Sequence, residues 1–321
     1  MQFDLPLPEL EQYRPVVTEP EDFDDFWAAQ LADVTFFPIA AEFEPVASPL
    51  QTVDVFDVTF SGHSDNEIRG WLLLPSHRRE PLPTVVEYIG YGGGRGLPHE
   101  SLVWSAAGYA HLIMDTRGQG STWSTGASAD PGDPGDPSAP GYLTKGIQNP
   151  DTYYYVRLYV DAVRAVEAAR SHPAVDNSRI AVTGASQGGA LAIVAAHLAS
   201  GVTATMTEVP FLAHFQRALQ VTDAAPYAEL AEYCRTHRDQ IDRAFTTLSY
   251  VDVVNHAKRS QIPALFSVGL ADVVTPPSTV FAAYNWYAGS KSIKVYPYNG
   301  HEGGGAHHYE AKLEFAGQQL G

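Results

Sequence analysis

Apolar and polar positions along the 321-residue chain fall into short runs of two kinds, strand-like and helix-like. Residues 53–60, VDVFDVTF, alternate as a half-buried strand does, and 68–75, IRGWLLLP, are mostly apolar. The runs PTVVEYIG (83–90) and AHLIMD (110–115) are largely apolar and predict strands buried on both faces. Further strands are predicted over 178–184, 203–210, 262–269 and 291–298. Between them the period changes. Residues 151–172 place Val156, Tyr159, Val160, Val163 and Val166 on one helical face, with Asp151 as the N-cap. Helices are also predicted over Glu21 to Leu31 around Trp27, over 99–107 and 187–200, within 211–248, and near 277–289 and 308–318. From about residue 83 strands alternate with helices, which predicts a mostly parallel central sheet with helices on both faces. In such sheets functional groups gather at the carboxyl ends of strands.

The expected organisation is one domain over 1–321. It carries a Pro-rich, acidic N-terminal extension (1–50), a Pro/Gly/Asp loop (126–150) and a helical insertion (211–248). A loop of that length is usually functional or disordered. No internal repeat is visible.

Charge narrows the partners. The chain has 20 basic and 37 acidic residues, a formal net charge of −17, which disfavours nucleic acid and anionic membrane surfaces as partners. An uncharged substrate fits better. The single cysteine, Cys234, excludes an intrachain disulfide. The start MQFDLPLPEL has no basic segment followed by an apolar run, and no apolar stretch reaches the ~18–20 residues of a membrane span. The expectation is a soluble cytoplasmic protein.

The stretch TGASQGG (183–189) carries the chemistry. Ser186 stands where an apolar strand turns into an alanine-rich helix, within Gly184-x-Ser186-x-Gly188. A serine there can simply cap a helix. The strand–turn–helix context instead matches the nucleophile elbow of the α/β-hydrolase fold, where small neighbours let the chain turn sharply and lift the hydroxyl above the sheet. Such a serine needs a base, and the base an orienting carboxylate, in the chain order Ser, Asp or Glu, His. Asp272 follows the strand 262–269 and His301 follows the strand 291–298, so both fall on the same edge as Ser186. Asp252 and Asp223 compete for the carboxylate role but follow no buried strand. His307 and His308 compete with His301 but lie beyond a glycine run and read as helix-entry or surface residues. The oxyanion requires two backbone N–H donors, for which Gln187 and, from the loop IGYGGG, Tyr91 are the candidates. Two other motifs fail. GYGGGRG after a strand lacks the final glycine of a dinucleotide fingerprint, because Arg95 stands there. His301, Glu302, His307 and His308 lack the HExxH spacing of a zinc helix. No cofactor and no metal are expected.

Three motifs together, RGQG (117–120), GASQGG (184–189) and His301-Glu302, make the chain resemble carbohydrate esterase family 7, the acetyl xylan esterase and cephalosporin C deacetylase family. TYYY (152–155), DAVRAVE (161–167), TLSYVDVVN (247–255) and TPPSTVFAAYN (275–285) extend the resemblance over nearly the whole chain. It implies Ser186, Asp272 and His301 as the triad, with Tyr91 and Gln187 at the oxyanion positions. Arg117, Gln119 and Glu302 fall on structural motif positions, and Phe211, Pro226 and Val274 on those lining a small acyl pocket. It further implies a cytoplasmic homohexamer, a dimer of trimers, that deacetylates small substrates. The chain departs from the family at Ile89, where many members have histidine, and at Val156, where arginine usually follows TYYY.

Overall fold

A computed structural model describes residues 3–132 and 136–321. Residues 1–2 of the expected extension and 133–135 of the expected loop lie outside the described residues. Nine strands make one sheet: β1 (Glu42–Val46), β2 (Val53–Ser61), β3 (Glu67–Pro75), β4 (Leu82–Tyr88), β5 (Ala110–Met114), β6 (Val175–Ala185), β7 (Val202–Glu208), β8 (Ala264–Gly269) and β9 (Lys291–Tyr296). Their spatial order is β1-β2-β3-β5-β4-β6-β7-β8-β9. β1, β2, β3 and β5 pair antiparallel in succession, and every pair from β5 through β4 to β9 is parallel. This is the α/β-hydrolase architecture that the sequence predicts.

The sheet is buried on both faces because consecutive side chains point opposite ways. Val86, Val182 and Phe266 join the larger core, against the helices Tyr154–Ser171 and Gln187–Leu198. Their neighbours Val85, Ala181 and Leu265 join a second cluster with Ala316 and Leu320 of the last helix, Gly305–Leu320. Registers align the carboxyl ends: Tyr88 pairs with Gly184, Ala185 with Glu208, Glu208 with Ser267, and Gly269 with Tyr296. The loops that follow β4, β6, β8 and β9 therefore open on one edge.

The N-terminal segment packs on the same chain. Trp27 is buried, stacks on Tyr159 at 5.7 Å and donates from Nε1 to the Tyr250 carbonyl at 3.0 Å. Asn285 Nδ2 donates to the carbonyls of Leu10 and Tyr13 at 3.0 and 2.8 Å. Between β7 and β8 lie the helices Phe215–Val221, Tyr227–Thr236, Ile241–Val251 and Val253–Ala257. The last is only one turn long, and β1 is a largely exposed edge strand containing Pro45, so neither carries a periodic signal.

Two expectations need correction or completion here. The helix expected from 151 starts at Tyr154, and Asp151 does not cap it. Its amide is held instead by Asn149 Oδ1 at 3.0 Å, which keeps 149–153 in turns. Val156 is buried in the core, and the next residue, Arg157, pairs with Asp130. Among the described residues no helix is long and apolar enough to cross a membrane.

Burial pushes His197, His214 and His308 down to about 4, and His256 well below the usual histidine range. The unfolded chain therefore takes up protons between about pH 6.5 and 4 that the folded chain refuses, and stability falls as pH falls through that window. Asp252, pushed up to about 6 by burial, and Glu229, also raised by burial, act in the opposite direction, while His63 and His172, lowered by burial, add to the effect of the other four histidines. The thermal midpoint is expected to drop steadily between pH 7 and 4. A flat profile from scanning calorimetry would contradict this burial account.

Candidate active site

β6 ends at Ala185 and the next helix begins at Gln187, so Ser186 alone makes the turn. Its backbone sits at φ 58°, ψ −118°, a region that costs an L-residue on the order of 1–3 kcal/mol. Glycine makes the turn possible: a Cβ on Gly188 would stand 2.1 Å from the Tyr88 carbonyl oxygen. The amide of Ser186 donates to the Glu208 carbonyl at 2.9 Å, and its carbonyl accepts from the amides of Phe211 and Ala190, both at 3.0 Å. The elbow is thus clamped to β7 and to its own helix. Ser186 lines a cavity of about 410 Å³ together with His301, Tyr91, Trp123, Pro226 and Val274, among others.

The loop after β8 carries Asp272, which is buried. Its Oδ1 accepts from the amides of Val274 (2.8 Å) and Thr275 (3.0 Å), and its Oδ2 from Thr275 Oγ1 (2.7 Å). Oδ2 also lies 2.9 Å from His301 Nδ1. A carboxylate only accepts, so Nδ1 carries the proton, and in the neutral ring Nε2 is left as the base. His301 is 34% exposed and makes no direct hydrogen bond to Ser186, although both line the cavity. The loop bearing His301 is tied by Glu302, which accepts from Asn299 Nδ2 (2.8 Å) and the Gly300 amide (3.0 Å).

The competing residues are engaged elsewhere or exposed. Asp252 accepts from the amides of Val254 (3.0 Å) and His214 (3.1 Å) and caps a helix. Asp223 and His307 are exposed. His308 corrects its surface reading: it is fully buried in the first turn of the last helix, with Nδ1 3.1 Å from Tyr296 Oη.

Among the described residues, the amides of Tyr91 and Gln187 have no hydrogen-bond partner. Two glutamines lock the segments that carry them. Gln119 Oε1 accepts from the Gly92 amide at 2.6 Å, and its Nε2 donates to Gln187 Oε1 and Tyr154 Oη, both at 2.9 Å. Gln187 Nε2 donates to the Ile89 carbonyl at 3.1 Å. Arg117 is buried beneath and reaches Asp161 through two bonds, at 2.5 and 2.7 Å, while its carbonyl accepts from Tyr154 Oη at 2.7 Å.

Pro226 and Val274 line the cavity, but Phe211 does not. It is fully buried one layer behind, edge-on to Tyr91 at 6.2 Å and to Tyr227 at 4.6 Å. Sequence reading also missed Glu229. The Tyr91 hydroxyl donates to Glu229 Oε1 at 2.5 Å and accepts from the Tyr142 amide at 2.6 Å, and Glu229 Oε2 accepts from the Leu143 amide at 3.1 Å. Burial raises the Glu229 carboxyl, against the Tyr91 hydrogen bond. The phenol therefore pins the loop after β4 to the 126–150 loop and to the helix headed by Pro226. Nothing local in the sequence signals a contact 138 residues apart. Trp123 and Glu87, both on the cavity wall, were also missed. The assembly as a whole offers a hydroxyl, a base with its orienting carboxylate, and two free amides, which is the equipment of acyl transfer.

The sequence model of the family described as acetyl xylan esterase (AXE1) matches residues 1–319. Acetyl esterase Axe7A of Xylanibacter ruminicola is 30% identical over 304 residues, 91% of this chain. The chain spans 65% of that protein's own length. The solved acetyl xylan esterase from Paenibacillus sp. R4 superposes with a TM-score of 0.91 at 39% identity, covering 98% of this chain and all of the other. Acetyl xylan esterase 1 from Thermoanaerobacterium sp. JW/SL YS485 gives 0.89 at 30% identity, covering 99% of this chain and all of the other. An acylaminoacyl peptidase of Pyrococcus horikoshii, at 0.63 and 19% identity over 84% of this chain and 42% of its own, shares the fold alone.

His301→Ala is expected to remove several orders of magnitude of turnover, while His307→Ala changes little. His308→Ala is expected to lower the thermal midpoint before anything else. Gln119→Ala frees the Gly92 amide and is expected to lower kcat by roughly tenfold or more, a fraction of what losing an oxyanion donor outright costs. Steady-state kinetics with calorimetry on the four proteins checks the set. An inactive His307 variant, or an unaffected Gln119 variant, would contradict the geometry.

Proposed function

The chain belongs to the acetyl xylan esterase family, and from that premise we propose that it is a serine esterase removing acetyl groups from small acetylated carbohydrates such as xylo-oligosaccharides. The observation that carries the reading is the Asp272–His301 contact beside a serine on a nucleophile elbow, with two unpartnered amides at hand.

The reaction follows from these groups. Ser186 Oγ attacks the acetyl carbonyl while His301 Nε2 takes its proton. The carbonyl oxygen becomes an oxyanion and accepts from the Tyr91 and Gln187 amides. Asp272 keeps the proton on Nδ1 and stabilises the imidazolium. The tetrahedral intermediate collapses, His301 returns the proton to the leaving alcohol oxygen, and acetyl-Ser186 remains. Water then attacks the acetyl-enzyme with His301 again as base, releasing acetate and restoring Ser186.

On the acyl side, this reading takes Pro226 and Val274, which line the cavity with Ser186, as the walls that limit the acyl group. The same reading makes the enzyme a cytoplasmic hexamer, a dimer of trimers whose sites face an internal cavity. Fragments of xylan would then reach the serine more readily than polymer, and cephalosporin C would be a further acetyl ester within reach. Family membership supports this extension.

A panel of acetyl, propionyl and butyryl esters of one alcohol, with a peptide amide included, tests the chemistry. Each methylene that does not fit is expected to cost roughly 1–3 kcal/mol in kcat/KM, so the rate falls steeply by butyryl. Preference for the amide or for longer acyl chains would overturn the reading. Light scattering, with acetate release from intact acetylated xylan against oligosaccharides, tests the assembly. A monomer acting equally fast on both would refute it.

A further inference from the structure

Two residues on the cavity wall, Trp123 and Glu87, are not used by the acyl-transfer machinery. Trp123 is 63% exposed, yet it is fixed. Its Nε1 donates to the Tyr91 carbonyl at 2.9 Å. Its ring rests on the glycine-rich loop, where a Cβ on Gly93 would stand 2.3 Å from the ring atom Cζ2. An indole seated this firmly, with most of its surface open beside a reactive serine, is a platform awaiting a flat partner.

Glu87 supplies the polar counterpart. Its side chain is 19% exposed, and one oxygen, Oε2, lies 2.8 Å from His111 Nε2. His111 Nδ1 lies 3.1 Å from the Ser101 carbonyl, an acceptor, so that nitrogen carries a proton. Burial works against ionisation of Glu87, but His111, with help from Lys312, outweighs it and brings the carboxyl below the usual glutamate range. The other oxygen, Oε1, has no protein donor among the described residues. An ionised carboxylate accepts hydrogen bonds and donates none, so it takes hydroxyl groups and repels anions. Glu87 stands three residues before Gly90, against which the indole also packs. Their backbones are therefore within ~10 Å along the chain.

We propose that Trp123 and Glu87 form the subsite for the alcohol portion of the ester, the indole stacking on the C–H face of a sugar ring and Glu87 accepting a ring hydroxyl. A pyranose presents both features at once, a flat face of C–H bonds and a rim of hydroxyl donors. A simple alkyl alcohol presents neither, and an anionic alcohol meets the Glu87 charge. The acyl pocket sets which acid is released, and this pair sets which alcohol is accepted. The proposal rests on the esterase reading above, and it adds which two residues on the cavity wall select the sugar alcohol.

The test compares a mono-O-acetylated methyl xyloside, retaining two free hydroxyls, with methyl acetate. The quantity read is the ratio of kcat/KM for the sugar ester to that for methyl acetate, which cancels any difference in folded fraction between variants. Trp123→Ala is expected to lower that ratio by about tenfold, mostly through KM for the sugar ester. Trp123→Phe keeps a ring but loses the N–H tether, and is expected to restore most of the ratio. Glu87→Gln, which keeps the shape and removes the charge, is expected to lower it severalfold. A ratio unchanged in Trp123→Ala and Glu87→Gln would overturn the subsite. So would a Trp123→Phe variant no better than Trp123→Ala, because the tryptophan would then matter only through its bond to the oxyanion loop. A wild-type enzyme that cleaves methyl acetate but leaves the sugar ester intact would instead refute the carbohydrate reading itself.

Discussion

Ser186 is held in a left-handed backbone conformation that its own chemistry does not favour, and the rest of the site is arranged around that turn. The turn persists because β7 supplies the Glu208 carbonyl for its amide and because Gly188 lets the helix start against the end of β4. Both conditions are register conditions. The parallel pairing that puts Tyr88 opposite Gly184 and Ala185 opposite Glu208 seats the elbow. The same pairing, continued through β8 and β9, delivers Asp272 and His301 to the same edge. A strained serine with no surrounding sheet would relax, and a sheet shifted by one residue would present the wrong faces.

Under that edge lies a buried polar layer that fixes the amides rather than the hydroxyl. Tyr153, Tyr154 and Tyr155 are consecutive and fully buried, and each hydroxyl has a partner. They donate to the Leu143 carbonyl at 2.7 Å, the Arg117 carbonyl at 2.7 Å and Gln187 Oε1 at 3.0 Å. Arg117 is itself buried against Asp161. Removing one member of such a pair costs roughly 3–5 kcal/mol, because a charge is left unpaired. The layer thus couples the position of the Tyr91 and Gln187 amides to the stability of the fold.

The grouping of Ser186, Asp272 and His301 at one sheet edge was legible in the sequence because its signals are local: an apolar run, then a small-residue turn, an aspartate or a histidine. The strand–helix alternation was legible for the same reason, since period is a property of neighbours. What escaped depends on segments meeting in space. The Tyr91–Glu229 bond and the Trp123 seat on Gly93 leave no trace in spacing. Phe211 matched a pocket position by resemblance, yet the fold sets it behind Tyr91. Asp151 had the chemistry of a cap but stands in turns that delay the helix to Tyr154. His308 has a polar side chain, but the turn of the glycine run buries it against Tyr296.

The central claim is that one hydroxyl, on Ser186, is activated by His301 and forms the acyl-enzyme. Reaction with a serine-directed fluorophosphonate, followed by peptide mass spectrometry, tests it most directly. The account predicts a single adduct on the peptide carrying Ser186, loss of ester hydrolysis in step with labelling, and no adduct in a folded Ser186→Ala variant. An adduct on a different serine, or hydrolysis persisting in the fully labelled enzyme, would contradict it.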